Sequence, residues 1–296
     1  MKGKYRNKER LVDFSFNAIL VLVAIVTIYP LWYVLIASVS SPVAIANGEV
    51  LVWPVEFTLA GYREAFGEKR IWIGYRNSII YTCSALVVDM IVQILCAYAL
   101  SIKNLPGKRF FNILILIPMY FSGGLIPTYL LLSSLGFINS PLALILPASV
   151  VTYNIIVAKS FFANSVPDSL FDAARIDGCS YTNFFIRIVL PLSKAILAII
   201  ALYNVQSHWN GYLGPAMYLY SPELHTLQQV LRSISANLDS SLSDTTLTIK
   251  EQIEIMQRQQ LLKYAVIVVS CLPLAIMYPF VQKFFVKGVM VGAVKG

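Results

Sequence analysis

Residues 171–191, FDAARIDGCSYTNFFIRIVLP, carry the side chains best spaced to act on another molecule. An acid leads two alanines at Asp172-Ala173-Ala174, then come Asp177 and Gly178, and the stretch closes on Ile188-x-Leu190-Pro191. The chemistry this pattern suits is docking, not bond-making. Pro167 fits a first helical turn because its missing N–H costs nothing there. Asp168 favours the positive end of the helix dipole, and Gly178 can supply a left-handed stop. The spacing predicts a helix of about three turns, with Leu170, Ala173, Ala174 and Asp177 on one face whose middle is only methyl-sized. Small residues let a partner surface approach the backbone closely. A plain connector helix lying under the membrane, with Ala chosen for propensity, fits the same spacing.

Bond-making groups are scarce elsewhere. No G-x-x-x-x-G-K-[ST], H-E-x-x-H or G-x-S-x-G occurs, so no residue is assigned a catalytic role and the chain has no phosphate-cradling loop of its own. Asp89 is the one acid deep in an apolar segment. A charge at mid-bilayer costs about 3 kcal/mol on insertion scales, so it must face protein or water. A proton-coupled carrier would use such a residue; a structural hydrogen bond to a neighbouring helix is the other reading, and the sequence shows Asp89 without a charged partner. His208 and His225 are expected near the outer interface as interfacial residues, not as ligands. Cys83, Cys96, Cys179 and Cys271 show neither a disulfide framework nor metal-ligand spacing and read as small packers.

The elements that must position these residues follow from composition. Hydrophobic residues make up 57% of the chain and charged ones 13%, with a mean hydropathy of +0.69, well beyond soluble domains. Long uninterrupted apolar runs lack the alternation that barrel strands need, so the spans are helices. At about 20 residues per crossing, six spans can be placed, over residues 14–38, 77–101, two within 110–158, 184–206 and 262–280. Gly136 to Pro141 supplies the turn that splits the long charge-free run. Pro118, Gly123-Gly124 and Pro127 should kink or unwind the third span. The first apolar run is too long for a signal-peptide core and reads as a retained span.

Lys and Arg in short loops set orientation. They gather at Lys2, Lys4, Arg6, Lys8 and Arg10, at Lys103, Lys108 and Arg109, and at Lys283, Lys287 and Lys295, which puts both termini in the cytoplasm. Counting through six spans places residues 171–191 there too. The net charge of +8 is therefore spread over several short loops, unlike a nucleic-acid surface.

The docking stretch resembles the EAA loop of binding-protein-dependent ABC importer permeases, with Asp172 where Glu is usual. Two more stretches, LGFINSPLA at 135–143 and YPFVQKFFVKG at 278–288 with its GAVKG close, are similar to the carbohydrate-uptake, maltose-permease-like branch, and within it to the complex-oligosaccharide, lipoprotein-type subfamily. The resemblance implies an all-α ABC type I importer permease fold with six transmembrane helices, multi-pass in the bacterial cytoplasmic (inner) membrane. It implies a heterodimer with a second homologous permease, two ATP-binding subunits, an extracellular solute-binding protein and an oligosaccharide substrate. ATP and Mg would be held by the partner ATPase, so this chain needs no cofactor. Asp172, Ala173, Ala174, Asp177, Gly178 and Pro191 would couple to that ATPase, whose closure drives alternating access.

On this reading residues 1–13 are a cytoplasmic segment, 14–287 the permease domain and 288–296 a cytoplasmic tail that, by analogy, reaches between the ATPases. The coupling loop covers about 165–191 and a long outer segment about 207–263. Ile249, Ile253 and Met256 suggest an amphipathic helix lying on the outer face. Sugar sites pair aromatic faces with amides, so Asn204, Gln206, Trp209 and Asn210 could line a carbohydrate path, with Tyr120 and Asn154 on the same logic. Trp near a span end also reads as an interfacial belt residue. Against the importer stands an ion-coupled secondary carrier working without an ATPase, with Asp89 as its coupling residue, although inverted repeats are not evident.

Overall fold

The structure, a computed structural model, describes residues 2–241 and 248–293, and these are helices joined by turns. Among the described residues, three helices are long and apolar enough to cross a membrane: Asp13–Ala37, Lys69–Ser101 and Gln252–Lys283. Two further pairs qualify only when joined across a bend, Lys108–Tyr120 with Leu125–Ser134 at 116° and Tyr181–Leu192 with Lys194–Asn210 at 81°. The count is therefore three to five.

Each departure from six straight spans has a local cause. The break in the expected third span lies at the glycines, not at Pro118, which stays inside Lys108–Tyr120. Phe121 turns extended and Gly124 takes φ +85°, which ends one helix and starts the next. Where a fourth span was expected, Leu142–Ile145 stops short and Thr152–Ser165 resumes for only 14 residues. Pro147 between them has no N–H to extend the first helix. The fifth is interrupted by a π-helical turn, Phe185–Val189, and by a break at Ser193, two residues after Pro191. The amphipathic stretch at Ile253 and Met256 is not a separate outer helix: it forms the first turns of one continuous helix, Ile249–Ala293. Residues 294–296 of the expected tail lie outside the described residues.

The chain divides into two compact units, Met1–Lys69 with Leu231–Cys271 and Arg70–Val230 with Leu272–Gly296. In the first, Ile36, Ala37, Ala44, Ile45 and Val50 make a small core on which Tyr33 and Tyr264 pack. Gly61 permits a close approach there, since a Cβ would sit 2.7 Å from the Leu261 carbonyl oxygen. By contrast, every side chain from 13 to 32 is exposed. An apolar surface that extensive is stable only against lipid or another protein.

The second unit has the larger core, built from Ile94, Ala97, Ile155, Ala158, Phe162, Phe184, Val189 and Ile200 among others. Its turns are tied by side chains. Asn139, at φ +60°, donates from its N–H to the Tyr218 carbonyl (2.7 Å) and accepts at Oδ1 from the Ser221 N–H (3.1 Å). This realises the turn expected between Gly136 and Pro141. Asn77 Nδ2 donates to the carbonyls of Glu223 (2.7 Å) and His225 (3.0 Å). Helix Leu227–Ser241 opens on a capping box, in which the Thr226 N–H donates to Gln229 Oε1 (2.9 Å) and the Gln229 N–H to Thr226 Oγ1 (3.4 Å).

Candidate docking loop and buried polar core

The docking stretch forms helix Asp168–Ile176, nine residues long. It ends as a Schellman motif: Gly178 takes φ +73°, its N–H reaches the Arg175 carbonyl (3.0 Å), and the Cys179 N–H reaches the Ala174 carbonyl (2.9 Å). Open space surrounds the place a Gly178 Cβ would occupy, so the glycine answers to backbone conformation and not to crowding. Ser180 then caps the next turn by accepting from the Asn183 N–H (3.3 Å). Phe171 anchors the loop, with ring centroids 5.2 Å from Tyr181 and 5.1 Å from Phe184, and the Arg175 guanidinium lies over its ring.

The two alanines part company. Ala174 is buried in this chain's own core with Leu170 and Phe171 packed beside it, whereas Ala173 faces outward with Asp172, Asp177 and Gly178. The single methyl-lined face expected from spacing is thus split between inside and outside. Ile176, which the sequence reading passed over, is 87% exposed at the helix end. Its signal was an isoleucine one turn off the alanine face. Pro191 is exposed just beyond the π-helical turn. Nearby, Lys159 Nζ donates to Asn112 Oδ1 (2.6 Å), and burial, with the charge of Lys108 second, pushes its ammonium below the usual lysine range.

The second assembly is deep in the same unit. Gln93, Asn154 and Asn204 are all buried and bond to one another: Asn154 Nδ2 donates to Asn204 Oδ1 (2.9 Å) and to Gln93 Oε1 (3.1 Å), and Asn204 Nδ2 to Gln93 Oε1 (3.1 Å). Gln93 Nε2 also reaches the Ser149 carbonyl (3.1 Å). These amides join helices Lys69–Ser101, Thr152–Ser165 and Lys194–Asn210. Thr152 Oγ1 adds a bond to the Ile115 carbonyl (2.9 Å).

Beside the amides, Asp89 does have a partner: His208 Nε2 lies 2.8 Å from its Oδ2. The expectation of an isolated acid gives way, because the helices carrying Asp89 and His208 pack together and a buried carboxylate needs a donor. The structural role against a neighbouring helix is what the geometry shows for Asp89. Of the residues considered for a carbohydrate path, only Asn154 and Asn204 come together. Trp209 is buried edge-on to Tyr75 (5.7 Å), Gln206 and Asn210 are exposed, and Tyr120 is 73% exposed at a helix end.

Residues 71–291 match the family described as "Binding-protein-dependent transport system inner membrane component". The chain is 35% identical over 292 residues to the polygalacturonan/rhamnogalacturonan transport system permease protein YtcP of Bacillus subtilis (strain 168), covering 98% of this chain and 100% of that one. Protein LplC of the same organism is 35% identical over 275 residues, 93% of this chain and 91% of its own. Among solved structures, a chain of a bacterial ABC transporter that imports the acidic polysaccharide alginate superposes with a TM-score of 0.81 at 29% identity, covering 94% of this chain and 98% of that one.

Proposed function

The chain belongs to the family of binding-protein-dependent transport system inner membrane components, and from that membership we propose that it is the permease subunit of an ATP-driven saccharide importer. It performs no covalent chemistry; it converts hydrolysis in a partner into a change of access. The observation that carries this reading is the docking loop, a rigidly stopped helix that shows Asp172, Ala173, Ile176 and Asp177 to the outside. Its neighbour is a core into which Ala174 and Phe171 are packed, so load on the helix reaches the helices behind it. Asp172, Ala173, Asp177 and Gly178 are read as the ATPase contact, with Ala174 and Pro191 holding the loop in place.

The same reading takes six spans with both termini cytoplasmic, the bent pairs each counting once and residues 142–158 completing the set. ATP and Mg belong to two copies of a partner ATPase. A second, homologous permease forms the other half of the pore, and an extracellular binding protein delivers the sugar. The polygalacturonan/rhamnogalacturonan transport permease and the alginate importer among its relatives support a saccharide substrate, read here as an oligosaccharide.

Reconstitution tests it. Chain, partner permease, ATPase and binding protein together in proteoliposomes should take up oligosaccharide only with ATP. Uptake by this subunit alone on an ion gradient would instead establish a secondary carrier and overturn the importer reading.

A further inference from the structure

Two cations, Lys108 and Arg109, open helix Lys108–Tyr120, and its first turn holds no acid. That is the wrong end for them, since the positive pole of the helix dipole adds to their charge. Nothing nearby in sequence offsets it: no Asp or Glu occurs between Asp89 and Asp168. Lys108 turns back to the end of helix Lys69–Ser101, where its Nζ donates to the carbonyls of Ile102 (2.9 Å) and Ser101 (3.5 Å). Lys159 reaches the same place from helix Thr152–Ser165. Its Nζ donates to Asn112 Oδ1 (2.6 Å), and Asn112 Nδ2 is spent on the Lys108 carbonyl (2.7 Å), which fixes the amide.

Among the described residues, every hydrogen-bond partner of these two ammoniums is a neutral oxygen. An ammonium has three donors, so Lys159, only half-buried, keeps two to give. Its burial and the charge of Lys108 both work against its proton. An anion here would answer the paired cations, the helix pole and the uncommitted donors together. The place lies at the end of Lys69–Ser101, a helix long and apolar enough to cross a membrane, and so at headgroup depth. Beside it Phe110, Phe111, Leu114 and Ile117 are exposed along helix Lys108–Tyr120, which buries none of its residues. A free phosphate leaves that apolar wall unused, whereas a lipid brings a phosphate and acyl chains for both. A choline headgroup would set a cation of its own against Lys108 and Lys159, so the lipid that fits carries net negative charge. Basic pockets between spanning helices hold anionic headgroups in this way.

We propose that the junction of helices Lys108–Tyr120 and Thr152–Ser165 is a binding site for an anionic phospholipid, with Lys159 and Lys108 on its phosphate and Phe111 and Leu114 along an acyl chain. Helix Thr152–Ser165 runs on to the docking helix Asp168–Ile176 after only two residues, and Val166 and Leu170 pack on the core between them. A lipid held by Lys159 therefore braces the mount of the docking loop. The site goes beyond the import reading and stands without it.

The test places the assembled transporter in nanodiscs of phosphatidylcholine mixed with phosphatidylglycerol, with a trace of photoactivatable phosphatidylglycerol whose labelled peptides are read by mass spectrometry. Label should concentrate on residues 103–117 and 152–165, and photoactivatable phosphatidylcholine should mark them severalfold less. Label spread evenly over the span ends, or equal marking by the two lipids, overturns the site. Absence of label there gives the face to a partner subunit and also overturns it. This map needs no variant to fold. Lys159→Gln should then cut the labelling about fivefold, the worth of one basic residue near an anionic surface, while Lys159→Arg retains it. Lys194→Gln, which removes an exposed cation elsewhere, should leave it unchanged; equal loss in Lys159→Gln and Lys194→Gln reduces the effect to bulk charge and rejects the site. Excess inorganic phosphate or trigalacturonate should not compete, and displacement by either assigns the site to a soluble anion and overturns the lipid.

Discussion

The docking loop and the buried amide cluster are held by opposite means. The loop is local: its stop is made by bonds between residues at most five apart, and its anchor, Phe171, meets rings ten and thirteen positions on. The cluster is wholly non-local, with Gln93, Asn154 and Asn204 separated by 50 to 111 positions. The loop spends its charges on solvent, where a partner can reach them; the cluster hides every polar group, where each must be satisfied within the chain. A change in the loop therefore shows mainly in coupling, and a change in the cluster mainly in stability.

The largest effect should come from Gln93→Leu. It strands amide groups of Asn154 and Asn204 and the Ser149 carbonyl in a dry interior, for a loss on the order of 3 kcal/mol, readable as a lowered unfolding midpoint in detergent. An unchanged midpoint would mean water already reaches the cluster. Next comes Ala174→Leu, which overpacks the core by about 1–3 kcal/mol, while Ala173→Leu leaves the midpoint alone and weakens ATPase capture; equal behaviour of the two would erase the split between them. Gly178→Ala forces a side chain into a left-handed position, costing about 1–2 kcal/mol locally, and should reduce transport-coupled hydrolysis without affecting membrane insertion. Smallest in stability is Ile176→Asp, within about 0.5 kcal/mol. In a pull-down it should nonetheless retain little ATPase, and full retention would remove Ile176 from the contact.

What was legible in the sequence tracks this same contrast. Pro167, Gly178 and the apolar spacing announce the docking helix and its stop because capping is decided by neighbours in sequence. The glycine pair at 123–124 marked a break for the same reason, although proline was an equally good suspect until Pro118 proved to sit inside the helix. Asp89 and His208 were both noticed and not paired, since no periodicity links positions 119 apart. Helix spacing showed that Ala173 and Ala174 share a face but could not tell which methyl turns inward. The shortened helices between 142 and 165 were invisible to a hydropathy count, which registers apolar content and not the carbonyls a proline leaves unclaimed.

Between the docking helix and the long helix Lys194–Asn210 lies the π-helical turn Phe185–Val189, followed by Pro191 and an 81° bend. Pro191 has no N–H to give, so the Arg187 carbonyl loses its α-helical donor. Wide-register turns of this kind are rare and occur mostly as single turns inside α-helices. The connection is thus bent, closer to the elbow of a crank than to a pushrod, with Val189 fully buried at its inner side. Pro191→Ala would return an N–H to the Arg187 carbonyl and so set the angle at which the loop meets the helix behind it.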